Sequence, residues 1–251
     1  MSALEIERQD EIAIVTLARP PMNAMTTELL EEASSVFGEL AAQESVRAAV
    51  ITGQGPAFSA GLDLKVVPRL GPSEQRRLIM ALNDAFGALY AWPKPLVAAV
   101  NGHAIAGGLV LALCADCRIA ADVALQVSLA EVKVAVTYPV AALEVARAEL
   151  VPAAARRLIL LGESLDMQQA LSLGVFDRCV PPRSLLLEAV GQARRHAELP
   201  SKAFATIKRE LRATSLARIA AARAGDGEPR LEEWLGEETR RAASAALRRP
   251  A

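Results

Sequence analysis

The chain has 251 residues, a formal charge of −1, 52% hydrophobic and 23% charged residues. That balance excludes a disordered chain and argues against a dedicated nucleic-acid binder, which usually carries a clear basic excess. The length suffices to bury a large core without disulfides or metals, although 50 alanines make that core less bulky than the percentage suggests.

Leu4 to Arg8 alternates apolar and charged residues, and Ile12 to Leu17 follows the Asp10-Glu11 turn signal, which predicts a β-hairpin. Arg19-Pro20-Pro21-Met22-Asn23 stops the second strand, because proline cannot donate to the ladder. Thr26 or Thr27 caps a helix running to about Gln43, with Leu29, Leu30, Ala33, Phe37 and Leu40 at helical spacing. Ala48 to Thr52 reads as a short buried strand, Ser73 to Ala91 as a helix, and Pro95 to Val100 as a strand ending in the Asn101-Gly102 turn. Gly107 to Ala115 reads as an apolar helix, with short strands at Cys117 to Ala120 and Leu125 to Leu129. The apolar stretch Leu96 to Ala115 has the length of a membrane span. Its interruptions at Asn101-Gly102-His103 and Gly107-Gly108 make it a strand, a turn and a buried helix instead.

Short strands alternating with helices predict α/β packing. Beyond Pro181-Pro182 the pattern is helical only, which divides the chain into a core over 1–195 and a C-terminal helical region over 196–251. Residues 201–251 carry eleven Lys/Arg against seven Asp/Glu. A final amphipathic helix from about Arg230 to Arg249 presents Leu231, Trp234 and Leu235 either to a sister subunit or to its own core. Cys114, Cys117 and Cys179 cannot all pair with one another, and Met1 to Gln9 lacks an apolar secretory stretch. Both features fit a reducing cytoplasm.

Two glycine-containing turns stand out. Ala57-Phe58-Ser59-Ala60-Gly61-Leu62-Asp63-Leu64 follows a strand, and Asn101-Gly102-His103-Ala104-Ile105-Ala106-Gly107-Gly108 precedes an apolar helix. Glycine permits close backbone approach, and N–H groups at a helix start are oriented and unclaimed. Two such turns facing each other would form an oxyanion hole. As ordinary strand-to-helix connections they would carry no chemistry, and local sequence leaves both readings open.

The spellings FSAGLDL and NGHAIAGG resemble the two oxyanion-hole signatures of the crotonase, or enoyl-CoA hydratase/isomerase, superfamily. The likeness continues through Leu111 to Asp116, Arg118 to Asp122, Leu161 to Ser164 and Ala170 to Asp177, and covers roughly residues 5–215. It implies a crotonase-like spiral of ββα units with a C-terminal helical region that drives formation of trimers or of hexamers built from two trimers. It implies an acyl-CoA thioester as substrate, with no cofactor beyond that coenzyme A. By position, the backbone N–H groups of Ala60 and Gly107 would hold the thioester oxygen. Phe58, Ser59, Gly61, Leu62, Asp63, Leu64, Lys65, Gly108, Val110 and Lys208 would surround substrate or CoA, with Lys65 and Lys208 beside its phosphates and Arg248 and Arg249 as further candidates from a neighbouring subunit. Leu62, Leu64, Val66, Met80 and Val110 are the expected acyl-pocket lining.

Hydratases of the superfamily place one glutamate three residues after the second oxyanion glycine and another about twenty residues later. Here the first position is Val110 and the second is Glu131. One carboxylate still suffices to carry a proton from one carbon to another. The stretch Glu131 to Gly162, with Pro139 at its offset, resembles the mitochondrial-type 3,2-trans-enoyl-CoA isomerases, which act on unsaturated chains in β-oxidation. The resemblance thus implies an isomerase with Glu131 as its base. A hydratase, a thioester hydrolase and a non-catalytic acyl-CoA-binding protein are the alternatives. Glu144 with Arg147, the Cys114-x-x-Cys117 pair, His103, Asp63 and Asp116 read as structural, and His196 as a surface residue. No metal site is expected.

Overall fold

A computed structural model describes residues 2–63, 66–224 and 228. Strands β1 (Leu4–Gln9) and β2 (Ile12–Leu17) form the expected hairpin, with Leu4 opposite Leu17 and Gln9 opposite Ile12. Helix α1 (Thr27–Ala42) starts at the Thr26 cap, whose side chain accepts the Leu29 N–H. Then come β3 (Ala48–Gly53), β4 (Ala57–Ser59), α2 (Pro72–Tyr90), β5 (Leu96–Val100), β6 (His103–Ile105), α3 (Gly107–Leu113), β7 (Cys117–Ala121) and β8 (Val127–Ser128). A 3-10 turn at Glu131–Val134 leads to α4 (Val140–Glu149) and α5 (Pro152–Ala155), which runs into a π turn at Arg156–Leu160. The chain continues through β9 (Ser164–Leu165), α6 (Met167–Ser172), β10 (Arg178–Val180), α7 (Leu185–Ala197), α8 (Ser201–Leu211) and α9 (Ala213–Arg223). The final helix expected from about Arg230 lies outside the described residues.

The strands form two sheets. The larger has the order β1-β2-β3-β5-β7-β10 and is parallel from β2 onward. Its strands read as nearly unbroken apolar runs because both faces are covered. Ile14, Val50, Val97, Ala99 and Ile119 face one way and pack with Leu185, Ala189 and Val190 of α7. Val15, Ile51, Ala98 and Val100 face the other and join Phe37 of α1, Phe86 of α2 and Leu109 of α3 in the main core. In the smaller sheet, β4-β6-β8-β9, only β8 was expected, within the strand read over Leu125 to Leu129. β4 and β6 are three residues long each and lie inside the two glycine-containing turns, and the two-residue β9 is too short to leave a pattern.

The C-terminal helices fold back onto their own chain, where α9 packs against α2 and α4. A buried ion network fastens them. Asp116 accepts from Lys208 at 2.7 Å and pairs with Arg212 at 3.2 Å, while Glu149 meets Arg212 at 3.4 Å and Arg118 at 3.3 Å. Asp116 also accepts the Leu96 N–H, so its expected structural role is that of a hub in this network. Removing Asp116 would leave the buried Lys208 ammonium without its carboxylate. No helix among the described residues is long and apolar enough to cross a membrane.

Candidate active site

Three neighbouring parallel strands deliver three chain segments to one edge of the small sheet. In register, Ser59 of β4 pairs with Ala104 of β6, and Ile105 of β6 pairs with Ser128 of β8. All three run the same way, so residues 60–62, 106–107 and 129–131 leave the sheet side by side. Adjacent strands lie about 4.8 Å apart, which puts the first and third segments about 10 Å from each other.

The first segment is held by the Arg19–Met25 loop. Asn23 is buried in a left-handed conformation (φ 46°), and its Nδ2 lies within 3.2 Å of the carbonyls of Gln54, Ala57 and Phe58. The Ser59 hydroxyl donates to the Asn23 carbonyl at 2.8 Å and accepts the Gly61 N–H at 3.2 Å. Phe58 and Ser59 are completely buried. Both were expected at the substrate, and both support the turn from behind with no exposed atom.

A correction concerns Ala60. Its N–H donates to the Met22 carbonyl at 2.9 Å, so it is already committed. Met25 donates to the Gly61 carbonyl and accepts from the Asp63 N–H in a single parallel bridge. In extended backbone successive N–H groups alternate sides, so the Leu62 N–H points away from that bridge. Among the described residues it has no hydrogen-bond partner, and Leu62 replaces Ala60 as the unclaimed donor of this turn. Sequence reasoning missed it because a backbone donor leaves no mark in the spelling.

The second segment begins helix α3. Ala106 donates to the Ser128 carbonyl at 2.7 Å and holds φ 52°, ψ −125°, a conformation that disfavours any residue with a Cβ. Gly107 and Gly108 open the helix, where N–H groups have no intrahelical partner. The Gly107 N–H has none among the described residues. Gly61 has φ +75°, and a Cβ placed there would sit 3.0 Å from the Gly107 nitrogen and 2.9 Å from the Ala106 Cβ. A Cβ on Gly108 would lie 2.1 Å from the Ser59 carbonyl oxygen. The two turns therefore touch, backbone against backbone, with the Leu62 and Gly107 N–H groups at their junction.

The third segment carries Glu131, at the start of its 3-10 turn. The residue is half-buried, and its surroundings push the carboxyl pKa up from 4.5 to about 7. Burial is the main cause, opposed by a hydrogen bond from the Tyr138 hydroxyl and by the backbone. The Tyr138 oxygen lies 2.8 Å from Glu131 Oε2 and 2.8 Å from the Leu129 carbonyl oxygen, the two acceptors within reach of its one proton. Sequence reading passed over Tyr138, although an aromatic hydroxyl beside Pro139 and seven residues from a candidate base was a usable signal. Val110 on α3 is completely buried and brings no proton-carrying group.

The remaining candidates divide. Lys208 is buried with its ammonium bonded to Asp116 and to the Lys94 carbonyl, which corrects its assignment to CoA phosphates. Its burial also lowers its pKa. Leu62, Asp63 and Met80 are half-buried and Val66 is exposed. Leu64, Lys65, Arg248 and Arg249 lie outside the described residues. Glu144 is buried against Arg147 and Arg218, and the His103 Nδ1 accepts the Gln126 N–H, so both have structural partners. Cys114 and Cys117 are buried free thiols whose pKa values burial pushes up to about 12 and about 11. His196 is half-buried beside Gln192 rather than a surface residue.

Residues 7–239 match the family model described as enoyl-CoA hydratase/isomerase. The chain belongs to that family. Among curated relatives of this enoyl-CoA hydratase/isomerase family member, a Mycobacterium avium protein named "Probable enoyl-CoA hydratase echA17" is 34% identical over 80% of this chain and 78% of its own length. A Mycobacterium tuberculosis structure described as an apo enoyl-CoA isomerase superposes with a TM-score of 0.81 at 30% identity, covering 89% of this chain and 97% of that one. The human mitochondrial delta3-delta2-enoyl-CoA isomerase superposes with a TM-score of 0.89 at 26% identity, covering 98% of this chain and 96% of that one. The crotonase-type α/β fold with C-terminal helices is therefore that of this chain.

Proposed function

We propose that this family member is an enoyl-CoA isomerase that moves a double bond from the 3- to the 2-position. The observation carrying the reading is the half-buried carboxyl of Glu131, across from two backbone donors unclaimed among the described residues, with buried aliphatic Val110 where a hydratase's other glutamate would stand. The Leu62 and Gly107 N–H groups receive the thioester oxygen. Glu131 takes a proton from C2, and the electron pair spreads through the dienolate onto that oxygen. The same carboxyl returns the proton at C4. A base with a pKa of about 7 is matched to this exchange near neutral pH. Preorganised donors supply most of the charge stabilisation, each being worth about 2.7–4 kcal/mol.

The coenzyme A is part of the substrate, and the reaction calls for no other cofactor. The reading extends to a homotrimer or a dimer of trimers in a reducing cytoplasm, with Lys65 at the CoA phosphates.

A hydratase is the second reading, favoured by the names of curated relatives. It requires water to be activated and carbon protonated around one carboxyl. The test offers 3-enoyl-CoA and 2-enoyl-CoA separately to wild type and Glu131→Gln, with products resolved by chromatography. Isomerisation without appreciable hydration, abolished by the substitution, supports the proposal. Efficient hydration refutes it.

A further inference from the structure

We propose that Tyr138 is a positioning residue for Glu131. Its hydroxyl pins Oε2, so that Oε1 alone carries the proton between C2 and C4. This rests on the isomerase reading for its catalytic consequence, and on geometry alone for the carboxyl–phenol pair.

Tyr138 is buried at the start of the approach to α4, seven residues beyond Glu131. Its oxygen lies 2.8 Å from Glu131 Oε2 and 2.8 Å from the Leu129 carbonyl oxygen. Both acceptors belong to the segment leaving β8, so the phenol ties the two ends of that segment together. A phenol has one proton to donate. With Glu131 ionised, that proton serves Oε2, the stronger, charged acceptor. When Glu131 has taken a proton from substrate, the new O–H bond forms on Oε1, because Oε2 is already occupied by a donor. The phenol proton can then be shared with the Leu129 carbonyl without moving any heavy atom. The captured proton thus stays on the oxygen free to face substrate, ready to break its O–H bond and form the C4–H bond.

The electrostatic neighbourhood is sparse. Lys133 sits on the same 3-10 turn, and Arg156 and Arg157 sit on the π turn packed against it, with Arg157 bonded to Glu163 at 2.6 Å. Among the described residues, none of these charges contributes to the carboxyl's shift, which burial, Tyr138 and the backbone account for. Among the described residues, the phenol is the side chain that hydrogen-bonds the base.

The experiment measures the Glu131 titration by carbon NMR of carboxyl-labelled protein, with the resonance assigned by its loss in Glu131→Gln. It compares wild type with Tyr138→Phe and with 3,5-difluorotyrosine at position 138, alongside kcat/KM against pH. Removing the donor is expected to raise the Glu131 pKa by about one unit, and the acid limb of the activity profile by the same amount. The fluorinated phenol, a stronger donor that keeps the ring, is expected to move both the other way. It also serves if Tyr138→Phe fails to fold. A Glu131 pKa unchanged within a few tenths of a unit in the variants overturns the inference, as does activity lost equally at every pH. Wild type inactive on 3-enoyl-CoA while the NMR shift appears would overturn the isomerase reading and leave the phenol–carboxyl pair standing.

Discussion

Gly61→Ala probes whether contact between the two turns builds the oxyanion site. Two separate costs follow from the structure. The backbone is left-handed, φ +75°, which costs a residue with a Cβ about 1–2 kcal/mol. The new methyl would also lie 2.9 Å from the Ile105 carbonyl oxygen, 2.9 Å from the Ala106 Cβ and 3.0 Å from the Gly107 nitrogen. Two of those three atoms are backbone, so relief requires the turns to separate, at about 1–3 kcal/mol as for other overpacked sites. Gly174→Ala is the control. It shares the left-handed conformation, φ +68°, but its Cβ would meet nothing within 4 Å. Chemical denaturation is expected to show Gly61→Ala as the more destabilised by about 1–3 kcal/mol. Opening the junction also moves the Gly107 donor relative to Leu62. Losing one such donor lowers kcat by about 10²–10³, and that loss is expected in steady-state isomerase assays of Gly61→Ala alone. Equal stability losses in the two variants, with kcat of Gly61→Ala within threefold of wild type, would refute the argument that these turns abut at the reacting oxygen.

Glu131→Gln separates activity from stability. The folded carboxyl titrates at about 7 against an ordinary 4.5, so between those values the folded chain holds a proton the unfolded chain has released. Its stabilisation is full below about 4.5 and is lost as pH rises through about 7. The variant is therefore expected to be inactive yet about 1–3 kcal/mol more stable than wild type at pH 8.5, with little difference at pH 4.5, by thermal denaturation. Lys208→Met removes one of the two cations on Asp116, leaves it Arg212 and the Leu96 N–H, and is expected to cost about 1.5–3 kcal/mol in urea unfolding while leaving KM for the CoA ester unchanged. A large rise in KM without destabilisation would restore Lys208 to the CoA site. Ala106→Gly relieves a conformation worth about 1–3 kcal/mol of strain against an entropic loss of about 0.5–1 kcal/mol, so a melting temperature a few degrees higher is expected. A lower one would show that the methyl packs more usefully than the backbone is strained.

Sequence alone determined the elements whose signals are local. The alternation of Leu4 to Arg8, the Thr26 cap and the apolar runs of β3, β5 and β7 each follow from residue types at short spacing, and the structure has them within a residue or two. The spelling also picked out both turns and the register that pairs Val110 with Glu131. Tertiary structure decided what each group in those turns does. Ala60 and Leu62 are both apolar and both sit in FSAGLDL. Only the Met22 carbonyl across the loop claims the first N–H and leaves the second. Lys208 reads as a cation for the CoA phosphates until Asp116, 92 residues away, is found at 2.7 Å in the core. Tyr138 becomes a partner of Glu131 only when the 3-10 turn brings its hydroxyl back over Oε2. Spacing along the chain is encoded one residue at a time. Which donor is already taken, and which charge is already neutralised, depends on segments that meet only after folding.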